Sequence, residues 1–152
     1  MTELERLSAM DAIRQLKARY FRGVDTGDPQ VVRSVLAEDC VLDYRGCCTD
    51  PASGRDFLPA MNVVMRGRQS YQDGLSSIGI VSVHQGHNVE IEVTGEATAS
   101  GIWSMTDRLY MPPGSPFSLM TGYGHYHETY EKTGGAWHIK TLRISRIRVE
   151  AS

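Results

Sequence analysis

From residue 80 onward the chain alternates apolar and polar residues almost without pause, and this half of the sequence limits what the rest can become. Four runs, Ile80 to Val93, Ala97 to Tyr110, Phe117 to Lys132 and Trp137 to Val149, read as long strands. Thr94-Gly95-Glu96 and Thr133-Gly134-Gly135 supply hairpin turns between them. The middle connection, Met111-Pro112-Pro113-Gly114-Ser115-Pro116, is too rich in proline to pair as a central strand and reads as a rim loop. Strands patterned this way present an apolar face that another layer has to cover.

The first half supplies that layer. Leu7, Met10, Ile13, Leu16, Tyr20 and Val24 recur every three or four positions, which predicts a helix from Leu4 to Val24 with one buried stripe. Gly27-Asp28-Pro29 ends it and starts a second helix, with Asp28 as N-cap and Pro29 in the first turn, running to about Ala37. A short strand from Val41 to Tyr44 follows. A third helix is expected from about Gly54 to Met65, carrying Phe57, Leu58, Met61 and Met65, and a flexible stretch from Arg66 to Ser77. Three helices and then four long antiparallel strands predict one α+β domain over 1–152, with helices packed on one face of a curved sheet.

At 152 residues the chain is about one domain's worth. A net charge of −2 provides no field to attract nucleic acid or anionic lipid, and the basic run Arg143 to Arg148 alternates as a strand does. No apolar run approaches a membrane span, and the N-terminus mixes charge with leucine where a signal peptide would be continuously apolar, so a cytoplasmic protein is expected. Cys40, Cys47 and Cys48 fit neither a disulfide framework nor a zinc spacing and read as reduced thiols. His125 and His127 share one strand face, a spacing compatible with metal, but Glu128 beside them has the wrong parity, so polar cross-strand residues are the preferred reading. Ile102, Met105, Leu109 and Leu119 on the open face of the sheet point to a homo-oligomer, a dimer or trimer.

One strand carries chemistry. In Ser82 to Val93 the apolar Val89, Ile91 and Val93 alternate, His84 and Asn88 take the opposite parity, and Gly86 offers a place for a bulge that would turn His84 into the enclosed space. Far upstream, Asp25 comes one residue after the buried stripe, Asp28 already serves as the cap, and Tyr20 supplies a second polar tip. A carboxylate that reaches a histidine makes a general base.

Gly23-Val24-Asp25, the Gly27-Asp28-Pro29 break, His84-x-x-x-Asn88 before Val89-Glu90-Ile91, Gly95-Glu96-x-Thr98, Tyr126-x-Glu128 and Gly135-Ala136-Trp137 together resemble the SnoaL-like branch of the NTF2-like superfamily. Within it the chain looks most like the hexachlorocyclohexane dehydrochlorinase, scytalone dehydratase and bile-acid 7α-dehydratase group. The resemblance implies a cone-shaped α+β barrel around a deep apolar pocket, a catalytic pair at Asp25 and His84, a tyrosine at Tyr20 and an arginine at Arg143 or Arg146. Asn88, Phe57, Trp103, His125 and Tyr126 are the further candidates to line the pocket. Cys47-Cys48 and the Met111 to Pro116 loop depart from the group's pattern. An imidazole, with an ordinary pKa of about 6.5, can take a proton from carbon when a carboxylate holds its other nitrogen. A phenol and an arginine can then stabilise the charge that develops, with no metal or organic cofactor required. The expected activity is that of a lyase or isomerase on a small apolar cyclic substrate. The alternative is a non-catalytic ligand-binding or assembly module like the small subunit of aromatic-ring dioxygenases, which resembles this fold too.

Overall fold

A computed structural model describes residues 1–152. Helix α1, Glu3–Asp25, opens on a reciprocal cap in which Thr2 Oγ1 accepts from the Glu5 amide and the Glu5 carboxylate accepts from the Thr2 amide. Its buried face holds Ile13, Leu16, Tyr20 and Val24, together with Lys17 and Phe21, whereas Leu7 is exposed. Asp28 accepts from the amides of Gln30 and Val31 and caps α2, Pro29–Ser34. Strands β1 (Leu36–Asp43), β2 (Val64–Arg66), β3 (Val81–Val93), β4 (Thr98–Tyr110), β5 (Leu119–Thr133) and β6 (Ala136–Ala151) form one sheet in the order β2-β1-β6-β5-β4-β3. All neighbours are antiparallel except β1 and β6, which run parallel. The architecture is α+β: α1 packs on the inner face of this sheet, chiefly against β3 and β6, and the core lies between them.

The expected helix over Gly54 to Met65 does not form. Pro59 lies in the middle of that span, where it removes an amide donor and collides with the preceding turn, so only a 3-10 turn at Pro59–Met61 survives before β2. The backbone instead bonds across to its neighbours, Phe57 N to Cys48 O and Tyr44 N to Val63 O. The second helix ends before the expected Ala37, because fully buried Leu36 already pairs with Ile139 of β6. The stretch expected to be flexible, Arg66 to Ser77, contains a 3-10 turn at Arg68–Ser70, the start of another at Leu75–Ile78 and a buried Tyr71.

The bulge of β3 sits at Asn88, not at Gly86. The register slips between His87 and Glu90, and Asn88 takes a positive φ of 46°. Gly86 is needed for another reason: a Cβ there would fall 2.5 Å from Phe21 Cε2. Gly86→Ala is therefore expected to push Phe21 aside and cost about 1–3 kcal/mol, measured as a lowered urea midpoint with an unchanged m-value.

The open face of the sheet also differs from expectation. Met105 and Leu109 point inward and are buried, while Ile102 stays 37% exposed on the opposite face, as strand parity requires. No helix is long and apolar enough to cross a membrane.

Candidate active site

Asp25 is the last residue of α1, the negative end of the helix dipole, where a carboxylate is disfavoured unless donors compensate it. Three do. Its Oδ1 accepts from Ser82 Oγ at 2.9 Å and faces His84 Nδ1 at 2.6 Å, while Oδ2 accepts from the His84 amide at 2.8 Å. With Nδ1 donating to the carboxylate, Nε2 carries the lone pair and has no protein partner. The Phe21 ring stacks on the imidazole at 5.5 Å and 13°, which fixes its plane. His84 and Asp25 side chains are 7% and 21% exposed, so the pair lies at the wall of a cavity and not on open surface.

That cavity has a volume of about 270 Å³. Val24, Met61, Val63, Met65, Leu75, Ile78, Leu109 and Ile144 make it largely apolar, and its polar groups are His84, a set of phenols, the thiols of Cys47 and Cys48, Asp73, Ser77 and one ion pair. Tyr20 and Tyr44 share a hydrogen bond of 2.7 Å between their hydroxyls. Two phenols hold two protons and the shared bond uses one, so one O–H remains free to donate to a ligand. Tyr126 and Tyr71 add hydroxyls with no side-chain partner. Burial raises Tyr20, Tyr44 and Tyr126 well above the ordinary phenol and pushes Tyr71 to about 12. All four are therefore donors near neutrality.

Arg146 lies on the cavity wall, but it is engaged: its guanidinium makes two bonds to Asp107, at 2.7 and 3.0 Å, and Nε donates to Cys47 O at 2.5 Å. Gly122 leaves room for this pair, since any Cβ there would strike both partners. The site thus offers a neutral ion pair, not a free cation.

Of the residues anticipated from sequence, Asp25, His84, Tyr20, Tyr126 and Arg146 come together here. Five do not. Arg143, three residues from Arg146, takes the opposite parity and lies with His127 in a broad, open depression on the outer face of the sheet. His125 faces the same outer side, its ring 6.2 Å from that of His127. Asn88 is exposed at the bulge. Trp103 points inward, yet its indole donates to Tyr130 at 2.9 Å and the ring does not reach the cavity. Phe57 packs edge-on against Phe117, 5.9 Å between centroids, outside the lining. Tyr44, Tyr71 and Asp107 were not anticipated. Tyr44 directly follows β1, whose inner parity was readable, whereas Tyr71 arrives through an irregular segment that no periodicity marks.

The model of the SnoaL-like domain matches residues 5–143. The chain belongs to the SnoaL-like family. Among solved structures this SnoaL-like domain is similar to a protein provisionally named a scytalone dehydratase from Novosphingobium aromaticivorans, at 20% identity and a TM-score of 0.80 over 99% of this chain and 92% of the other. It is also similar to a type 2 hexachlorocyclohexane dehydrochlorinase, at 17% identity and a TM-score of 0.77 over 99% and 93% of the two chains. The type 3 enzyme from Novosphingobium barchaimii gives 17% and 0.76 over 99% and 94%. These likenesses establish an NTF2-like fold.

Beneath the cavity of this SnoaL-like domain lies a charged pair with almost no exposure. Lys17 Nζ bonds to Glu128, whose other oxygen accepts from Tyr130 OH at 2.6 Å. The ammonium also sits 3.5 Å from the Tyr126 ring centroid, 4.3 Å from that of Tyr20 and 4.4 Å from that of Phe21. Burial holds Lys17 down at about 8 despite its partner.

The raised phenols have a consequence for stability. An unfolded tyrosine ionises near pH 10, whereas folded Tyr20, Tyr44, Tyr126 and Tyr130 keep their protons well beyond that. Their contribution is complete below about pH 10 and declines as pH rises further, because the unfolded chain then releases protons that the folded chain retains. We expect the urea midpoint to fall steeply above pH 10, with the tyrosinate absorbance of Tyr20, Tyr44, Tyr126 and Tyr130 appearing only as far-ultraviolet circular dichroism is lost. Full tyrosinate absorbance with the fold intact would contradict it.

Proposed function

We propose that this SnoaL-like protein is a cofactor-independent lyase or isomerase acting on a small, largely apolar cyclic molecule. The observation that carries the reading is the Asp25–His84 contact at the wall of an apolar cavity, with Nε2 left free. His84 Nε2 takes a proton from a carbon beside an electron-withdrawing group. Asp25 holds the tautomer and balances the positive charge that forms on the ring, an effect helped by the helix end on which it sits. The electron pair left on carbon either expels a leaving group from the neighbouring carbon, a β-elimination, or shifts to form an enolate that is reprotonated elsewhere. The unpaired O–H of the Tyr20–Tyr44 couple donates to the departing hydroxide or to the oxyanion.

The same pair argues against a purely assembling role, since a scaffold gains nothing from pressing a carboxylate onto a histidine inside a cavity. Dehydratase and dehydrochlorinase names among the similar structures support the reaction class. The test is a thermal-shift screen of cyclic alcohols, ketones and halides, followed by kinetics of the binders in D2O. Release of water or halide, or solvent deuterium incorporated at carbon, is expected for at least one binder. Binders that undergo neither elimination nor exchange would leave a ligand-binding module.

A further inference from the structure

Cys47 and Cys48 both line the cavity, and the function proposed above uses neither. Their sulfurs lie 3.6 Å apart and both are free thiols. That separation is the S–H···S contact of two thiols, and it suits one chemistry better than another. A disulfide needs about 2.05 Å, so closing one would require the two side chains and the peptide between them to move. A single soft atom bonded to both sulfurs at about 2.3 Å, with a pyramidal or tetrahedral angle of about 100–109°, holds them about 3.5–3.7 Å apart, which needs no movement. A linear two-coordinate ion at similar bond lengths would spread them to about 4.6 Å and does not fit.

Only two sulfurs are available: no group of three or more histidine, cysteine or carboxylate side chains is placed to hold a metal ion. The remaining bond of the captured atom must go to something the cavity accepts, and most of its other walls are apolar. From these observations we infer that Cys47 and Cys48 form a vicinal-dithiol site for a trivalent mono-organoarsenical, with arsenic bridging the two sulfurs and its apolar organic substituent lying in the cavity. In the capture step two As–O bonds of R–As(OH)₂ break and two As–S bonds form, and each thiol proton leaves with a hydroxide as water. Arsenic stays trivalent throughout. The pair is polarised for this: hydrogen bonding from Cys48 holds the Cys47 thiol below its ordinary range, assisted by the Arg146 charge, while Cys48 is pushed up. Cys47 then attacks first and Cys48 closes the ring.

The experiment uses the full chain and phenylarsine oxide, followed by intact mass and by mapping of the arsenical to peptides. One arsenical per folded chain is expected, on the peptide holding Cys47 and Cys48, removable by 2,3-dimercaptopropanol but not by the same thiol concentration of 2-mercaptoethanol. Cys47→Ser and Cys48→Ser should each weaken capture on the order of 10² or more, because the second sulfur acts at high effective concentration. Cys40→Ser, buried away from the cavity, should leave it unchanged. Methylarsonous acid should be held less tightly than the phenyl compound, since it leaves the apolar walls uncovered. Absence of an adduct on the folded wild type, capture that survives in both Cys47→Ser and Cys48→Ser, or a mapped adduct on Cys40 would overturn the assignment. Should a serine variant unfold, the wild-type map still decides.

Discussion

His84→Ala is expected to lower turnover of a true substrate by about 10² to 10⁴ while changing its binding little, because a placed base acts in the transition state and the cavity that holds the ligand is mainly apolar. Asp25→Asn keeps the outline of the carboxylate but gives the imidazole an amide in place of a charge, so it too should act on kcat more than on KM. Since the two residues act as one unit through the 2.6 Å contact, the double variant should be little worse than His84→Ala alone. Wild-type turnover in His84→Ala would eliminate the mechanism even with fold and cavity intact. Strictly additive losses would mean that Asp25 acts on something other than His84.

Lys17→Met should destabilise the protein by about 3–5 kcal/mol, the range for breaking a buried ion pair by removing one partner. The size follows from what remains: Glu128, without exposed surface, keeps only the Tyr130 hydroxyl and must bury an unbalanced charge or take up a proton. Lys17→Met combined with Glu128→Gln removes both charges and keeps an acceptor for Tyr130, so it should recover a large part of the loss. The recovery, read from urea midpoints as a double-mutant cycle, is the coupling of the pair. A single Lys17→Met costing below about 1 kcal/mol would place this interaction with ordinary surface pairs. Because the ammonium also lies against the Tyr20, Phe21 and Tyr126 rings, the variant should loosen the cavity floor as well.

The long strands, α1 and the Asp28–Pro29 restart were legible in the sequence because each depends on local chemistry: alternation, helical spacing, a cap beside a proline. The Gly54 to Met65 segment was misread because Phe57, Leu58, Met61 and Met65 keep helical spacing across a proline that forbids the helix; apolar spacing records burial, not conformation. Parity arguments held within regular strands and failed where an extra residue intervened. In β6 the pairing with β5 leaves over Lys140 on one side and Ile147 on the other, so counting by twos from buried Ile139 or Val149 picks Arg143, whereas the regular stretch between the two extra residues turns Arg146 inward. Asp25 and His84 were paired through their likeness to a family, since nothing in either local segment reports a contact across 59 positions. Tyr71 and the Arg146–Asp107 bond are products of tertiary closure and left no local trace.

The parallel placement of β1 against β6 has a consequence for the order in which the molecule assembles. Strands β3 to β6 follow one another as hairpins and can pair as they become available, but Leu36 must find Ile139 across on the order of 100 intervening residues, a closure that costs on the order of 4 kcal/mol of chain entropy. That step gains by seating α1 and β1 together on a finished meander, which makes it the natural rate-limiting event in folding. Until it happens, the inner faces of β4 and β5, with Met105, Leu109, Met120 and Tyr126, stand uncovered. The surface destined to line the cavity is thus the most aggregation-prone surface of the unfinished chain, and a slower arrival of the N-terminal layer translates directly into loss of soluble protein.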